Sequence, residues 1–162
     1  MSVYTHLLIA LDGSRFAERS LEAALQIALR FESKVTLLRV TAPEAQPVVM
    51  GPAASLANLE RIEQTTELEM EEAEAYLESI RRPWSGLGIT ARSEVTCGDP
   101  AEMILNTASA VDADLIVMTT HGRSGLSRLI YGSVAEAVLR RSPIPVLLVP
   151  VKDPEAARGR AN

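Results

Sequence analysis

Five short apolar runs alternate with four segments of helical periodicity, and this alternation limits the fold more than any other feature of the chain. The runs are 6–11 (His-Leu-Leu-Ile-Ala-Leu), 34–40 (Lys-Val-Thr-Leu-Leu-Arg-Val), 87–96, 113–119 and 143–149. Most are nearly continuous in Leu, Ile and Val, as strands covered on both faces require. Run 87–96 instead places Ile89, Ala91, Ser93 and Val95 in alternation with other residues, which suits a sheet edge. Parallel strands need long crossovers, and right-handed crossovers put helices on both faces of the sheet. The expected fold class is therefore α/β: one doubly wound domain with a five-stranded parallel sheet in the order 3-2-1-4-5. At 162 residues and 47% hydrophobic content, the chain suffices for one packed domain. It is expected over 1–151, with 152–162 as a flexible tail carrying Pro154, Gly159 and mixed charges.

The helical segments have their own signals. Ser14 caps a first helix that carries Ala17, Leu21, Ala24, Leu25 and Ala28 on one face and runs to about residue 31. A second helix is expected over 58–82, with Leu59, Ile62, Thr66, Ala73, Leu77 and Ile80 on one stripe. Its eight glutamates form a solvated face, and Pro83-Trp84-Ser85-Gly86 ends it. Asp99-Pro100-Ala101-Glu102 is a helix start with a cap, proline at the first position and a capping-box glutamate; Met103, Ile104, Thr107 and Ala108 then face inward. The fourth helix, 133–141, turns Val134, Ala135, Val138 and Leu139 to the core. Between 41 and 54, Pro43, Pro47, Gly51 and Pro52 predict a long loop.

Charge and composition exclude several classes. Sixteen basic against 21 acidic residues give a net charge of -5, which argues against a nucleic-acid partner because a phosphate backbone needs a basic face. Cys97 is the single cysteine, so neither an intramolecular disulfide nor a cysteine metal cluster can form; it reads as an inert thiol in a reducing cytosol. No apolar run approaches the roughly 18 residues of a membrane span, and no basic-then-apolar leader opens the chain. The expected setting is cytoplasmic, with no membrane partner.

The strand 113–119 empties into Thr120-His121-Gly122-Arg123-Ser124-Gly125-Leu126-Ser127-Arg128-Leu129-Ile130-Tyr131-Gly132-Ser133. Glycines let backbone N–H groups approach an anion, and a helix starting near Gly132 and Ser133 adds unpaired donors and a positive dipole end. Ser124, Ser127 and Ser133 supply hydroxyls, while Arg123 and Arg128 supply charge. The bland alternative is that the glycines only make turns and Ser133 only caps a helix. In doubly wound sheets, ligands sit beyond the carboxyl ends of the strands at the switch in strand order, where Asp12-Gly13-Ser14, Val40 and 119–133 all fall. Asp12 has two readings there: a ligand or metal contact, or a carboxylate bonded to amides in its own turn. An enzyme would need a catalytic set, and His121 near Ser124 is the only suggestive pair; a histidine in a phosphate loop is more often a positioning residue. A phospho-receiver would need more acids and a lysine at the strand ends, and the kinase or GTPase P-loop pattern is absent.

Taken in order, the apolar strand, His-Gly-Arg-Ser-Gly-Leu, Tyr-Gly-Ser-Val and Ser-Pro-Ile-Pro-Val-Leu-Leu-Val resemble the universal stress protein family over nearly the whole chain. Nucleotide-binding members carry glycine, two residues, glycine, nine residues, then glycine with serine or threonine. Gly122, the nine residues 123–131 and Gly132-Ser133 match the second half, and Thr119 stands where the first glycine belongs. The resemblance implies a Rossmann-like domain that binds ATP, expected with magnesium; slow hydrolysis would have Asp12 hold that ion through water. By the same resemblance Ala10 and Leu11 line the base pocket, Asp12 contacts the adenosine, and the Val40 backbone meets adenine. Gly122, Ser124, Gly132 and Ser133 would hold phosphates, with Arg123 a further phosphate partner and His121 and Thr119 in the same loop. It also implies a homodimer through the terminal strand 144–149 and a role as a nucleotide-responsive stress regulator. The alternatives are a member that binds no nucleotide and acts through protein contacts, and a slow ATPase. The sequence names no protein partner.

Overall fold

The computed structural model describes residues 3–41, 52–120 and 132–150. Its elements alternate strictly: β1 (His6–Leu11), α1 (Arg19–Phe31), β2 (Lys34–Thr41), α2 (Pro52–Gly86), β3 (Ala91–Cys97), α3 (Pro100–Ala110), β4 (Leu115–Thr119), α4 (Ser133–Arg141) and β5 (Val146–Val149). All neighbouring strands pair in parallel, in the order β3-β2-β1-β4-β5. The winding reverses between β1 and β4, and a cleft opens above their carboxyl ends.

The strand period of two divides the interior into two cores. Leu7, Ile9, Leu11, Val35, Leu37, Leu115 and Val117 point to the α1 and α2 side, where Ala24, Ala28, Leu77 and Trp84 meet them. Leu8, Leu38, Ile116 and Met118 point the other way, against Ala101, Ile104 and Ala108 of α3 and Ala135 and Val138 of α4. Both faces of β1 are buried, which is why its run of apolar residues is almost unbroken.

Helix α3 starts as its sequence prescribes. The Asp99 carboxylate accepts from the Glu102 N–H at 2.9 Å, and Pro100 occupies a first-turn position where no N–H is needed. Other boundaries differ from the sequence reading for nameable reasons. Ser14 Oγ accepts from the Ala17 N–H at 3.2 Å, but residues 15–18 form turns and α1 itself begins at Arg19. Helix α2 starts at Pro52 and continues through Pro83 to Gly86, so Pro83 does not end it. Trp84, only 6% exposed, anchors that last turn in the core, and the left-handed Gly88 then turns the chain toward Ile89. This delays β3 to Ala91. On α4, Leu139 is 46% exposed and takes no part in the core, because Ala135 and Val138 already span the contact face. The expected loop lies outside the described residues over 42–51, as does the tail over 151–162.

Asp114 ties the amino end of β1 to the chain entering β4. Its carboxylate accepts from Thr5 N–H at 2.7 Å, Thr5 hydroxyl at 2.6 Å and His6 N–H at 3.2 Å. Burial pushes this carboxyl upward, but the bonds from Thr5 and His6 outweigh it and hold the group below its usual value. A depressed folded-state pKa means that the stabilisation is complete above the unfolded value, near 3.9, and is lost as pH falls through the folded one. Asp114→Asn is therefore expected to lower stability at neutral pH and to flatten the loss below about pH 4; urea melts at pH 7 and pH 3 check both, and an undiminished acid slope would contradict the assignment.

Candidate nucleotide site

A cavity of about 330 Å³ sits above the carboxyl ends of β1, β2 and β4, between the amino ends of α3 and α4. Its floor is the even-numbered face of the strands: Ala10, Leu38, Val40 and Met118, joined by Ile104 from α3. The rim is polar, with Asp12, Thr119, Thr120, Gly132 and Ser133. Strand pairing explains the opening. β1 and β2 pair up to Leu11 and Arg39, so β2 beyond that point borders the cavity at Val40 where a strand would otherwise lie.

The two helix starts differ. The α3 start is capped by its own Asp99. Gly132 occupies the cap of α4 and, among the described residues, no side-chain cap bond is made there, so the positive end of α4 lies at the rim. Ser133 is the first helical residue and exposed, so it does not serve as the cap considered from the sequence.

Asp12 does two things. One oxygen accepts from the Ser14 N–H at 2.8 Å, closing the turn expected in the plainer reading, while the residue also lines the cavity. Gly13 makes the turn possible at φ 79, and a Cβ there would come within 3.1 Å of the Arg39 guanidinium. Arg39 in turn lies 5.5 Å over the Tyr76 ring. Burial, reinforced by Glu18 and Asp12 and opposed by Arg39, pushes the Tyr76 phenol up to about 12.

Of the residues singled out from the sequence, Ala10, Leu11, Asp12, Val40, Thr119, Gly132 and Ser133 converge on this one cavity. His121, Gly122, Arg123 and Ser124 lie outside the described residues. Sequence reasoning missed Leu38, Met118 and Ile104 in the floor and Pro100 at the edge. The period of two already placed Leu38 on the face of Val40, so it was within reach of a register argument, whereas Met118 joins that face through Ile116 and the pairing of β4 with β1. Among the described residues no cluster of three His, Cys, Asp or Glu side chains exists, and no helix is long and apolar enough to cross a membrane.

The universal stress protein family model matches residues 4–150. The chain belongs to that family. It is similar to the universal stress protein MJ0531 of Methanocaldococcus jannaschii, 33% identical over 148 residues that cover 91% of this chain and 83% of the relative. Its fold matches the solved structure of MJ0577 from the same organism with a TM-score of 0.79 at 26% identity, over 93% of this chain and 99% of the other. A universal stress protein solved in complex with cAMP shares the fold, with a TM-score of 0.64 at 24% identity, over 92% of this chain and 98% of that one.

Proposed function

We propose that this universal stress protein binds ATP in the cavity above β1, β2 and β4 and acts as a nucleotide-responsive stress regulator. The observation that carries the reading is an uncapped helix start, that of α4, opening onto a pocket with an apolar floor. The floor of Ala10, Leu38, Val40, Ile104 and Met118 suits a flat purine, and the positive amino end of α4 suits phosphates. The cavity's volume is near the lower end of the roughly 300–1,000 Å³ usual for ligand pockets. That matches a base and ribose inside with phosphates reaching out over Gly132 and Ser133. The family resemblance adds His121, Gly122, Arg123 and Ser124 to the phosphate side. The cAMP complex of a neighbour supports the fold's capacity for an adenine nucleotide.

Asp12 is the one acid lining the cavity among the described residues, with one oxygen already engaged by Ser14. A single carboxylate fits a magnesium ion carried on the phosphates and held through water, and does not fit an all-protein metal cage. Bound there, the ion would neutralise phosphate charge.

A second reading rests on Thr119. It stands at the first motif glycine, lines the cavity, is 8% exposed, and carries a Cβ, a methyl and a hydroxyl that the glycine lacks. A member that binds no nucleotide and works through protein contacts would tolerate this. Gentle purification, denaturation and chromatography of the released small molecules separate the readings, followed by calorimetric titration of the stripped protein with Mg-ATP. Released ATP or micromolar affinity supports the first; no binding refutes it and leaves the second. The proposal includes a homodimer through β5, an edge strand whose Val146–Val149 are all half-buried. A monomer in sedimentation at micromolar concentration would refute that part.

A further inference from the structure

The opposite, amino end of the sheet holds a separate cavity of about 380 Å³. It lies between the starts of β1, β2 and β3 and the carboxyl end of α3, and its polar walls are His6, Lys34, Arg92 and Asp112. Register brings these residues together. His6 pairs with Lys34, and Leu8, Thr36 and Arg92 follow in line across three strands, so His6, Lys34, Thr36 and Arg92 share one face of the sheet. Farther along the same face the side chains are Leu8 and Leu38, both fully buried. The run of apolar contacts therefore ends in a basic corner, in a chain whose net charge is -5.

The corner is organised by hydrogen bonds. Arg92 Nε donates to Thr36 Oγ1 at 2.9 Å, and Thr36 Oγ1 lies 2.8 Å from His6 Nε2. Thr36 Oγ1 therefore joins the guanidinium to the imidazole, with the donor and acceptor roles between Thr36 and Nε2 set by the ring's tautomer. Thr36 is fully buried, which fixes the Nε edge of the guanidinium and leaves the two terminal nitrogens of Arg92 directed elsewhere. Among the described residues neither Arg92 nor Lys34 has an ion-pair partner. Asp114, at the entry to β4, is occupied by Thr5 and the His6 amide.

We propose that this corner is a second ligand site, built for a small oxyanion such as a phosphate or carboxylate group, gripped by the terminal nitrogens of Arg92 and the ammonium of Lys34 beside His6. A guanidinium pinned at one edge presents a fork suited to two oxygens, and the lysine adds a point charge from the adjacent strand. The field has the right sign. Burial, then Arg92 and Lys34, hold the His6 imidazole below its usual value against the Val111 carbonyl and Asp114. Asp112, exposed at the rim, is the one acid lining this cavity and opposes the two cations there.

Inorganic phosphate is the first probe and acetate the second, each titrated at constant ionic strength with chloride as the balancing salt. The readout is NMR of the imidazoles, of which the chain has two, His6 and His121. A saturable His6 shift and an upward move of its pKa are expected with the anion bound. Arg92→Gln and Lys34→Gln should each weaken binding about tenfold, since a hydrogen bond between charged groups contributes about 1.5–3 kcal/mol. Lys34 is exposed and makes no side-chain bond among the described residues, so Lys34→Gln should melt as the parent does, and a thermal melt is the folding control for Arg92→Gln, which also gives up the bond to Thr36. The stronger of the two probes identifies the headgroup. Absence of a saturable shift with either, or equal shifts in parent and Arg92→Gln, overturns the site. Mg-ATP affinity in both variants is expected to be unchanged, so failure here and failure of the nucleotide proposal are read separately.

Discussion

Gly132→Val is expected to weaken Mg-ATP binding about a hundredfold or more while the protein remains folded. Gly132 has φ -54 and ψ 149, an extended conformation that valine adopts readily, so the backbone is not strained by the change. Its N–H already bonds the Thr120 carbonyl at 2.7 Å, and its carbonyl accepts from Glu136, neither of which needs the glycine hydrogen. What changes is the cavity wall. Two methyl groups would stand where phosphates approach the first-turn N–H groups of α4. Losing two such charge-assisted bonds at about 1.5–3 kcal/mol each gives a deficit beyond the roughly 2.7 kcal/mol of a hundredfold loss. Calorimetric titration measures it, with a thermal melt as the folding control. Parent-like affinity in a folded variant would remove the phosphates from the α4 terminus.

Leu37→Ala should give the largest stability loss short of unfolding, with no direct effect on the cavity. Leu37 is fully buried in β2, paired with Ile9 on one side and Ser93 on the other. Its side chain faces α1 and α2, the face opposite the floor made by Leu38 and Val40. Truncating a buried leucine costs about 2–5 kcal/mol through lost transfer energy and the void left behind. Against a typical total of about 5–15 kcal/mol that is a large fraction. For a chain of this size it corresponds to a fall in melting temperature of about 6–15 °C. Urea unfolding with an unchanged slope checks it. A cost below about 1 kcal/mol would mean that the site collapses around the smaller side chain.

The order of elements was legible in the sequence because both periodicities are local. A run such as 6–11 is apolar on both faces only if helices cover both, and Ala91, Ser93 and Val95 among polar neighbours mark the edge that β3 occupies. Asp99, Pro100 and Glu102 fix the start of α3 within one turn, with no help from the rest of the fold. The family motif likewise named Asp12, Val40, Gly132 and Ser133 before register brought them to one cavity.

Boundaries that depend on distant partners were not legible. Pro83 lacks an N–H and looks like a helix end, yet burial of Trp84 holds the following turn helical, and that burial exists only once α2 lies on the sheet. Leu139 fits an amphipathic stripe, but whether a stripe residue is covered depends on how much of α4 its neighbours reach. His6 begins a strand with no partner nearby in sequence; Thr36 stands 30 residues away and Arg92 a further 56. The sequence by itself determined the alternation, the two-faced sheet and the family, because these follow from spacing along the chain. Only the tertiary structure decided which helix end stayed uncapped above the cavity and which cations met at the other end of the sheet. Strand register and crossover packing set those distances, and both join residues that the chain keeps far apart.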